Sequence, residues 1–273
     1  RFPAIADLRA ACRRRIPGFV WAYLDSAAGT EAAMHRNRAE LDRVLMCPAV
    51  LRGDLEPDLG LAFLGTRYDL PFGIAPVGMS GFIWPGAEGI LARTAATARL
   101  PYCLSTVATR VPEDIGPLAG GMGWFQLYPP RDAGIRRDML RRAREAGFHT
   151  LVVTVDVPSN VRRERQLRAQ LAIPPRVTPR MIAQVSMCPA WAFGTLRAGR
   201  PRLRFVEGYI ERRRGAPATK QQRTRLRGIL DWDQVDALRQ DWPGPIALKG
   251  ILEPSDAIEA RTRGIDAVWV SNH

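Results

Sequence analysis

Short apolar runs alternate with amphipathic stretches along most of this chain. From Leu70 onward, each apolar run ends in polar or small residues, and a segment with helical spacing follows. Six strands are predicted, at 71–76, 101–104, 124–128, 151–155, 245–249 and 267–270. Strands that alternate with amphipathic helices predict parallel βαβ units. Since a closed (β/α)8 barrel needs about eight strands, we predict an α/β fold, a TIM barrel that is incomplete.

The same pattern divides the chain into four parts of one domain. We predict a helical entry over 1–69 with a break at Pro17-Gly18, strands 1–4 over 70–156, a long insertion over 157–230 and strands 5–6 over 231–273. The insertion combines several prolines with aromatic residues and many arginines. Such a segment suits contact with a membrane surface, and a lid packed on its own barrel fits equally well.

Composition narrows the class of protein more than its function. The chain is 46% hydrophobic and carries a net charge of +13. Nearly all of its basic residues are arginines, with Lys220 and Lys249 as the only lysines. These proportions are typical of a folded globular protein, and no apolar run is long enough to span a membrane. No nucleic-acid motif accompanies the charge. The four cysteines form no CxxC pair, which argues against zinc or a disulfide framework and favours a reducing, cytoplasmic setting.

Polar side chains follow the predicted strands at the point where each strand ends. They are Ser105, Gln126 with Tyr128, Thr154 with Asp156, Lys249, and finally His273 after Ser271-Asn272. The carboxyl ends of parallel barrel strands share one rim, where active sites form. Each residue alone could be an ordinary loop residue. Together they predict a site.

These segments resemble the FMN-dependent L-2-hydroxy acid dehydrogenase and oxidase family, which includes lactate and mandelate dehydrogenases and glycolate oxidase. The resemblance covers nearly the whole chain and is carried by Ile74-Ala75-Pro76-Val77-Gly78, Leu104-Ser105-Thr106, Trp124-Phe125-Gln126-Leu127-Tyr128, Thr154-Val155-Asp156, Arg162-Arg163-Glu164, Lys249-Gly250 and Val270-Ser271-Asn272-His273.

The resemblance implies FMN as cofactor and assigns residues to it. The backbone of Pro76, Val77 and Gly78 is expected to lie against the flavin ring. Hydrogen bonds to the ring are expected from Ser105, Gln126, Thr154 and Lys249, the lysine on the N1–O2 side, where a cation stabilises the reduced ring.

The resemblance also implies the chemistry. His273 is the expected base, because an imidazole accepts a proton near neutral pH, and Asp156 is expected to hold the imidazolium that forms. Tyr23, Tyr128 and Arg163 are expected to bind the substrate. From the residues alone, Tyr23 suits a packing role as well.

Finer cues favour a dehydrogenase of a larger or aromatic 2-hydroxy acid. Gly78, Trp84-Pro85 and Cys188-Pro189-Ala190-Trp191 resemble the mandelate dehydrogenases, and Val107 replaces a bulky aromatic residue of glycolate oxidase. We expect electrons to pass to a quinone or cytochrome at the inner face of the cytoplasmic membrane, with peripheral contact through the insertion. An oxidase that uses O2 is the alternative, and a homotetramer is the expectation from the family.

The family pattern continues past the histidine with a substrate-binding arginine and two further strands that hold the FMN phosphate. We therefore expect a C-terminally truncated barrel, inactive as an isolated segment. Two rivals remain: a basic segment that binds membranes or polyanions through residues 190–228, and an IMP-dehydrogenase-like enzyme, whose catalytic cysteine loop the chain lacks.

Overall fold

The computed structural model describes residues 2–157, 161–171, 177–210, 228 and 230–273. Contacts within the chain separate two compact units. The first comprises Arg1–Asp58, Phe82–Pro85 and Ser159–Arg200, and the second comprises Leu59–Gly81, Gly86–Pro158 and Pro201–His273. Parts of the predicted insertion, at 158–160, 172–176, 211–227 and 229, lie outside the described residues, and the division at 69, 156 and 230 stays a prediction.

The described residues form short strands and helices in alternation. The strands are β1 Leu61–Phe63, β2 Thr66–Tyr68, β3 Tyr102–Ser105, β4 Gly123–Leu127, β5 Thr150–Thr154, β6 Ile246–Ile251 and β7 Ala267–Val270. The α-helices are α1 Ile5–Arg15, α2 Gly18–Asp25, α3 Ala32–Asp42, α4 Ser80–Ile83, α5 Ala87–Thr97, α6 Pro112–Ile115, α7 Ala133–Glu145, α8 Glu164–Arg168, α9 Pro179–Ser186, α10 Pro189–Ala198, α11 Arg204–Glu207, α12 Trp232–Asp241 and α13 Pro254–Thr262. A 3-10 turn at Gly116–Ala119 follows α6.

A five-stranded parallel sheet forms the centre of the second unit. Its order, β3-β4-β5-β6-β7, follows the sequence, as expected when each strand returns through a helix to its neighbour's side. Side chains alternate between the two faces. One face packs against the helices through Leu104, Phe125, Leu127, Leu151, Val153 and Leu248. The other carries Cys103, Trp124, Val152 and Ala247. The α/β prediction is confirmed, with a barrel that the described strands do not close.

An antiparallel hairpin, β1–β2, covers the second face, and the sequence analysis placed no strand there. Leu64 and Gly65 both have positive φ, the combination that a tight two-residue hairpin turn requires. Tyr68 is buried and accepts a hydrogen bond from Trp124 Nε1 at 2.9 Å. A cavity of 300 Å³ lies between Phe63, Trp124 and Trp269.

Two strand predictions were wrong in detail. Residues 71–76 are not a buried strand: only Ile74 bridges to Tyr102, and Phe72 is 60% exposed. Pro71 and Pro76 bracket the bridge, and proline cannot donate to a ladder. The final strand, β7, is not buried on both faces, since Val270 is 72% exposed. It lies at the edge of the sheet, with β6 as its partner among the described strands.

The first unit is helical. Pro17 interrupts the entry segment between α1 and α2, which confirms the predicted break. Phe19 and Trp191 meet edge to face with ring centroids 6.0 Å apart, and Trp191 Nε1 donates to the carbonyl of Phe82 at 3.2 Å. These aromatic contacts join α2 to α10 within the unit.

Candidate active site

Three buried polar side chains form a hydrogen-bonded row across the carboxyl ends of β3, β4 and β5. Ser105 Oγ donates to Gln126 Oε1 at 2.9 Å, and Gln126 Nε2 donates to Thr154 Oγ1 at 2.9 Å. Each of the three residues is at most 5% exposed. Strand register aligns Ser105 with Gln126, so the parallel pairing sets the row. Burial with all these partners satisfied makes the row rigid.

A second group of polar side chains lies where β5, β6 and β7 end. His273 Nδ1 lies 2.8 Å from Asp156 Oδ1, and Lys249 Nζ lies 3.8 Å from Asp156 Oδ2. Ser271 Oγ accepts from Lys249 Nζ at 3.1 Å and from the His273 backbone N–H at 2.9 Å. The Lys249 and Asp156 side chains are 14% and 13% exposed, and that of His273 is 34% exposed. A base, a carboxylate and an ammonium group therefore share one small region of the rim.

Gly250 makes room for this group. Its φ is +114°, and a Cβ there would lie 2.5 Å from the Asp156 Cβ. Any side chain would push the carboxylate out of place. The predicted Lys249-Gly250 pair thus has a local cause: the lysine supplies charge, and the glycine admits the aspartate beside it.

The loop that carries Pro76, Val77 and Gly78 is anchored by a buried carboxylate. Glu88 is 0% exposed, and its Oε1 accepts from Gly81 N at 3.0 Å, Thr109 N at 2.9 Å and Thr109 Oγ1 at 2.8 Å. Met79 N also donates to the carbonyl of Val107 at 2.9 Å. The loops that follow Ile74 and Ser105 are therefore tied together.

The sequence analysis missed Glu88, although a signal was present. Glu88, Ala92 and Ala95 recur at helical spacing and are the buried residues of α5. A carboxylate on the apolar stripe of a helix needs buried donors to stay there. That conflict between the helical pattern and the residue type is the signal for this position.

The expected substrate residues fall in both units. Tyr128 directly follows β4, is half-buried, and donates its backbone N–H to Thr106 Oγ1 at 3.2 Å. In the first unit, Tyr23 lies on α2 with its ring edge on Phe82, 5.6 Å between centroids. Burial raises the pKa of Tyr23, and the nearby Arg163 partly opposes that rise. Tyr23 is therefore a neutral phenol at physiological pH, beside a guanidinium group.

Comparison with known proteins decides the family. The family model for FMN-dependent dehydrogenases matches residues 12–273. The chain belongs to this family. The L-lactate dehydrogenase of Ectopseudomonas mendocina is 35% identical over 275 residues, covering 99% of this chain and 72% of that protein. The L-lactate dehydrogenase of Xanthomonas euvesicatoria pv. vesicatoria is also 35% identical, covering 99% and 70%.

Solved structures agree with that assignment. The monotopic membrane protein (S)-mandelate dehydrogenase superposes with a TM-score of 0.89 at 30% identity, covering 98% of this chain and 72% of that one. A mandelate oxidase crystallised with benzoyl-formic acid superposes with a TM-score of 0.80 at 30% identity, covering 100% of this chain and 69% of that one. The predicted family, the barrel class and the FMN cofactor are confirmed, and the chain is an FMN-dependent oxidoreductase.

The donors of the rim fit a flavin ring. The edge of the ring alternates hydrogen-bond acceptors with one N–H donor, which suits hydroxyls, a primary amide and an ammonium group together. Ser105, Gln126 and Thr154 supply the neutral groups, and Lys249 supplies the cation. The buried Asp156 Oδ2 has no hydrogen-bond partner among the described residues, and the Lys249 ammonium group lies 3.8 Å from it. The individual roles remain predictions.

Proposed function

We propose that this protein oxidises an L-2-hydroxy acid of the lactate or mandelate type to the 2-oxo acid, with His273 as the base. One observation carries the proposal: His273, Asp156 and Lys249 form one hydrogen-bonded and ionic group beside the row Ser105–Gln126–Thr154. A base next to donors suited to a flavin is what this oxidation requires.

His273 has the geometry of a base that is oriented by a carboxylate. With Asp156 ionised, Nδ1 carries the hydrogen and donates it across the 2.8 Å contact, which leaves the Nε2 lone pair to take a proton from the substrate. The carboxylate then stabilises the imidazolium, as it does in other sites where an acid orients a histidine. FMN, when bound, accepts the two electrons that leave the substrate.

Lys249 is placed to stabilise the negative charge that a bound flavin ring would gain on reduction. It is held by Ser271 at 3.1 Å and lies in a largely buried position, where low local dielectric strengthens its field. A compact ammonium group suits an ionic contact with one ring edge better than the planar fork of arginine does. Tyr23, Tyr128 and Arg163 are proposed to bind the carboxylate and hydroxyl of the substrate.

The first unit supports a peripheral membrane contact. In α9 and α10 and the turn between them, Ile182, Met187, Phe193 and Leu196 are 60% to 81% exposed. Exposed arginines flank them at Arg180, Arg197 and Arg200. Exposed apolar side chains with basic neighbours favour an anionic lipid surface. Among the described residues, no helix is long and apolar enough to cross a membrane.

This membrane contact suggests a membrane-bound electron acceptor. We therefore favour a dehydrogenase that passes electrons to a quinone or cytochrome over an oxidase. Rapid reoxidation of the reduced flavin by O2 is the expected outcome for an oxidase, and slow reoxidation is expected here.

Flotation with anionic vesicles tests the proposed membrane-binding surface of α9 and α10. F193D and L196D are expected to abolish flotation, and R168A, elsewhere in the unit, is expected to keep it.

Anaerobic titration tests the proposed activity directly. After incubation with FMN and gel filtration, the protein is mixed with (S)-mandelate, (R)-mandelate or L-lactate, and the visible flavin band is followed. Bleaching by an S enantiomer but not by (R)-mandelate supports the proposal. A retained flavin band that none of these acids bleaches contradicts the proposed activity.

A further inference from the structure

One arginine in the first unit holds two distant segments together. Arg165, in α8, donates from Nη1 to Asp25 Oδ2 at 2.8 Å and from Nε to Glu31 Oε1 at 2.5 Å. Its Nη2 also donates to the backbone carbonyl of Asp25. The Asp25 and Glu31 side chains are 12% and 15% exposed. The planar guanidinium group is therefore engaged on three of its donors, a geometry that lysine cannot reproduce.

Further bonds extend this connection along both segments. The Gly29 backbone N–H donates to the carbonyl of Arg162 at 2.9 Å, and Gln166 Nε2 donates to Ser26 Oγ at 3.1 Å. Glu31 has a φ of +67°, a conformation that a non-glycine residue adopts only when its surroundings hold it. Its side chain is held from two sides, by Arg165 and by the backbone N–H of Ala27 at 3.1 Å.

The two segments carry the first unit's proposed substrate residues. Tyr23 lies two residues before Asp25 on α2, and Arg163 lies two residues before Arg165 at the start of α8. Burial raises the pKa of the Tyr23 phenol, and the charge of Arg163 partly opposes that rise. The Arg165 contacts thus fix the backbone that directly follows each member of this pair.

We infer that Arg165 is a positioning residue: by tying the end of α2 to α8, it holds Tyr23 and Arg163 in the arrangement that binds the substrate carboxylate. The inference rests on the proposed function. A misplacement of binding groups by about 1 Å is enough to weaken a reaction markedly. Arg165 itself is engaged by Asp25 and Glu31, so its effect passes through the two neighbours.

The test compares R165A with R168A, its matched control on the same helix. Arg168 pairs with Glu164 at 2.6 Å, and its side chain is 72% exposed. In the FMN-loaded protein, we expect R165A to raise KM for the hydroxy acid by about tenfold with kcat within about twofold, because a loss of binding shared by ground and transition states appears in KM. R168A should match the parent.

Two readouts do not depend on turnover. Hydrogen exchange of the backbone amides over 26–31 should accelerate in R165A and not in R168A, because the contacts of Arg165 slow local opening of this segment. The dissociation constant for phenylglyoxylate, measured from the perturbed flavin spectrum, should rise in parallel with KM. R165K, which keeps the charge and loses the fork, should fall between parent and R165A; it also decides the question if R165A does not fold.

Equal KM and product affinity in R165A and R168A would overturn the inference, as would a loss of FMN and kcat in proportion to KM, since that marks a general structural role. Failure of the proposed function looks different: in that case the parent retains its flavin but is not bleached by any hydroxy acid, whatever residue stands at 165.

Discussion

Two carboxylates are held in different ways, one in the first unit, which is helical, and one in the second unit, which contains the barrel strands. They are called the helical unit and the barrel unit below. Glu88 in the barrel unit is fully buried and accepts from two backbone N–H groups and one hydroxyl. Asp25 in the helical unit accepts from the guanidinium groups of Arg9 and Arg165, and Arg9 is 64% exposed. Neutral buried donors are insensitive to salt, whereas exposed ion pairs are screened by it. The anchor at Glu88 should therefore be insensitive to salt, and the ion pairs of Asp25 should weaken as salt is added.

Removal of the buried anchor should have the largest effect on stability. E88A leaves three donors without an acceptor, and each unsatisfied buried donor costs about 1–3 kcal/mol. We expect a loss of about 2–4 kcal/mol in the free energy of unfolding, measured by urea denaturation, and weaker FMN retention. E88Q should lose less, because its amide oxygen still accepts.

The control for this anchor is E145A, which removes an exposed partner of Arg141 and should change stability by less than about 1 kcal/mol. If E88A proves as mild as E145A, the proposed difference between the buried and exposed carboxylates is wrong.

The second-largest expected effect is on the rate of flavin reduction. D156N should leave the fold intact but lower the rate of flavin reduction by on the order of 10²-fold, because the amide cannot stabilise the imidazolium at 2.8 Å. Rapid anaerobic mixing with (S)-mandelate measures this rate. D138N is the control, since Asp138 in the same unit accepts from Tyr209 OH at 2.6 Å, away from the rim. An unchanged rate in D156N argues against the orienting role.

The smallest effect is a pH dependence in the helical unit. Burial alone favours a raised pKa for Asp25, but the hydrogen bonds and charges of Arg9 and Arg165 outweigh it and hold that pKa below its ordinary value of 3.8. A depressed carboxyl pKa contributes stability above the unfolded pKa, and this contribution is lost as pH falls through the folded pKa. The difference in stability between parent and D25N should therefore shrink as pH falls below 3.8.

At pH 7, D25N should be less stable by on the order of 1 kcal/mol, and added salt should reduce that difference. D42N, which removes a pair whose side chains are 56% and 74% exposed, is the control and should show little change at any pH. A difference for D25N that grows toward low pH reverses the expected sign and contradicts the assignment of the ion pairs.

The barrel unit was predictable from sequence because burial acts on every residue of its strands. The runs that became β3 to β6 are mainly apolar, and the polar residues at or near their carboxyl ends share a rim by the geometry of parallel strands. The edge strand β7 has the same composition and is exposed at Val270. An apolar sequence shows that a strand can be buried. It does not show which other element of the fold covers that strand.

The missed features depend on long-range pairs or on unusual turns. Arg165 meets Asp25 across 140 positions, and one arginine among many carries no local sign of its partner. The β1–β2 turn uses Leu64 at positive φ where asparagine or aspartate is the usual signal. Glu88 was the exception, since its helical spacing with Ala92 and Ala95 was visible in the sequence.

The most direct test of the central claim, that His273 is the base, compares parent and H273N in the FMN-loaded protein. Both variants are mixed anaerobically with (S)-mandelate, and loss of the visible flavin band is followed over time. We expect H273N to retain its flavin through gel filtration and to be reduced at least about 10²-fold more slowly than the parent. Reduction of H273N at the parent rate would contradict the assignment and place the base elsewhere.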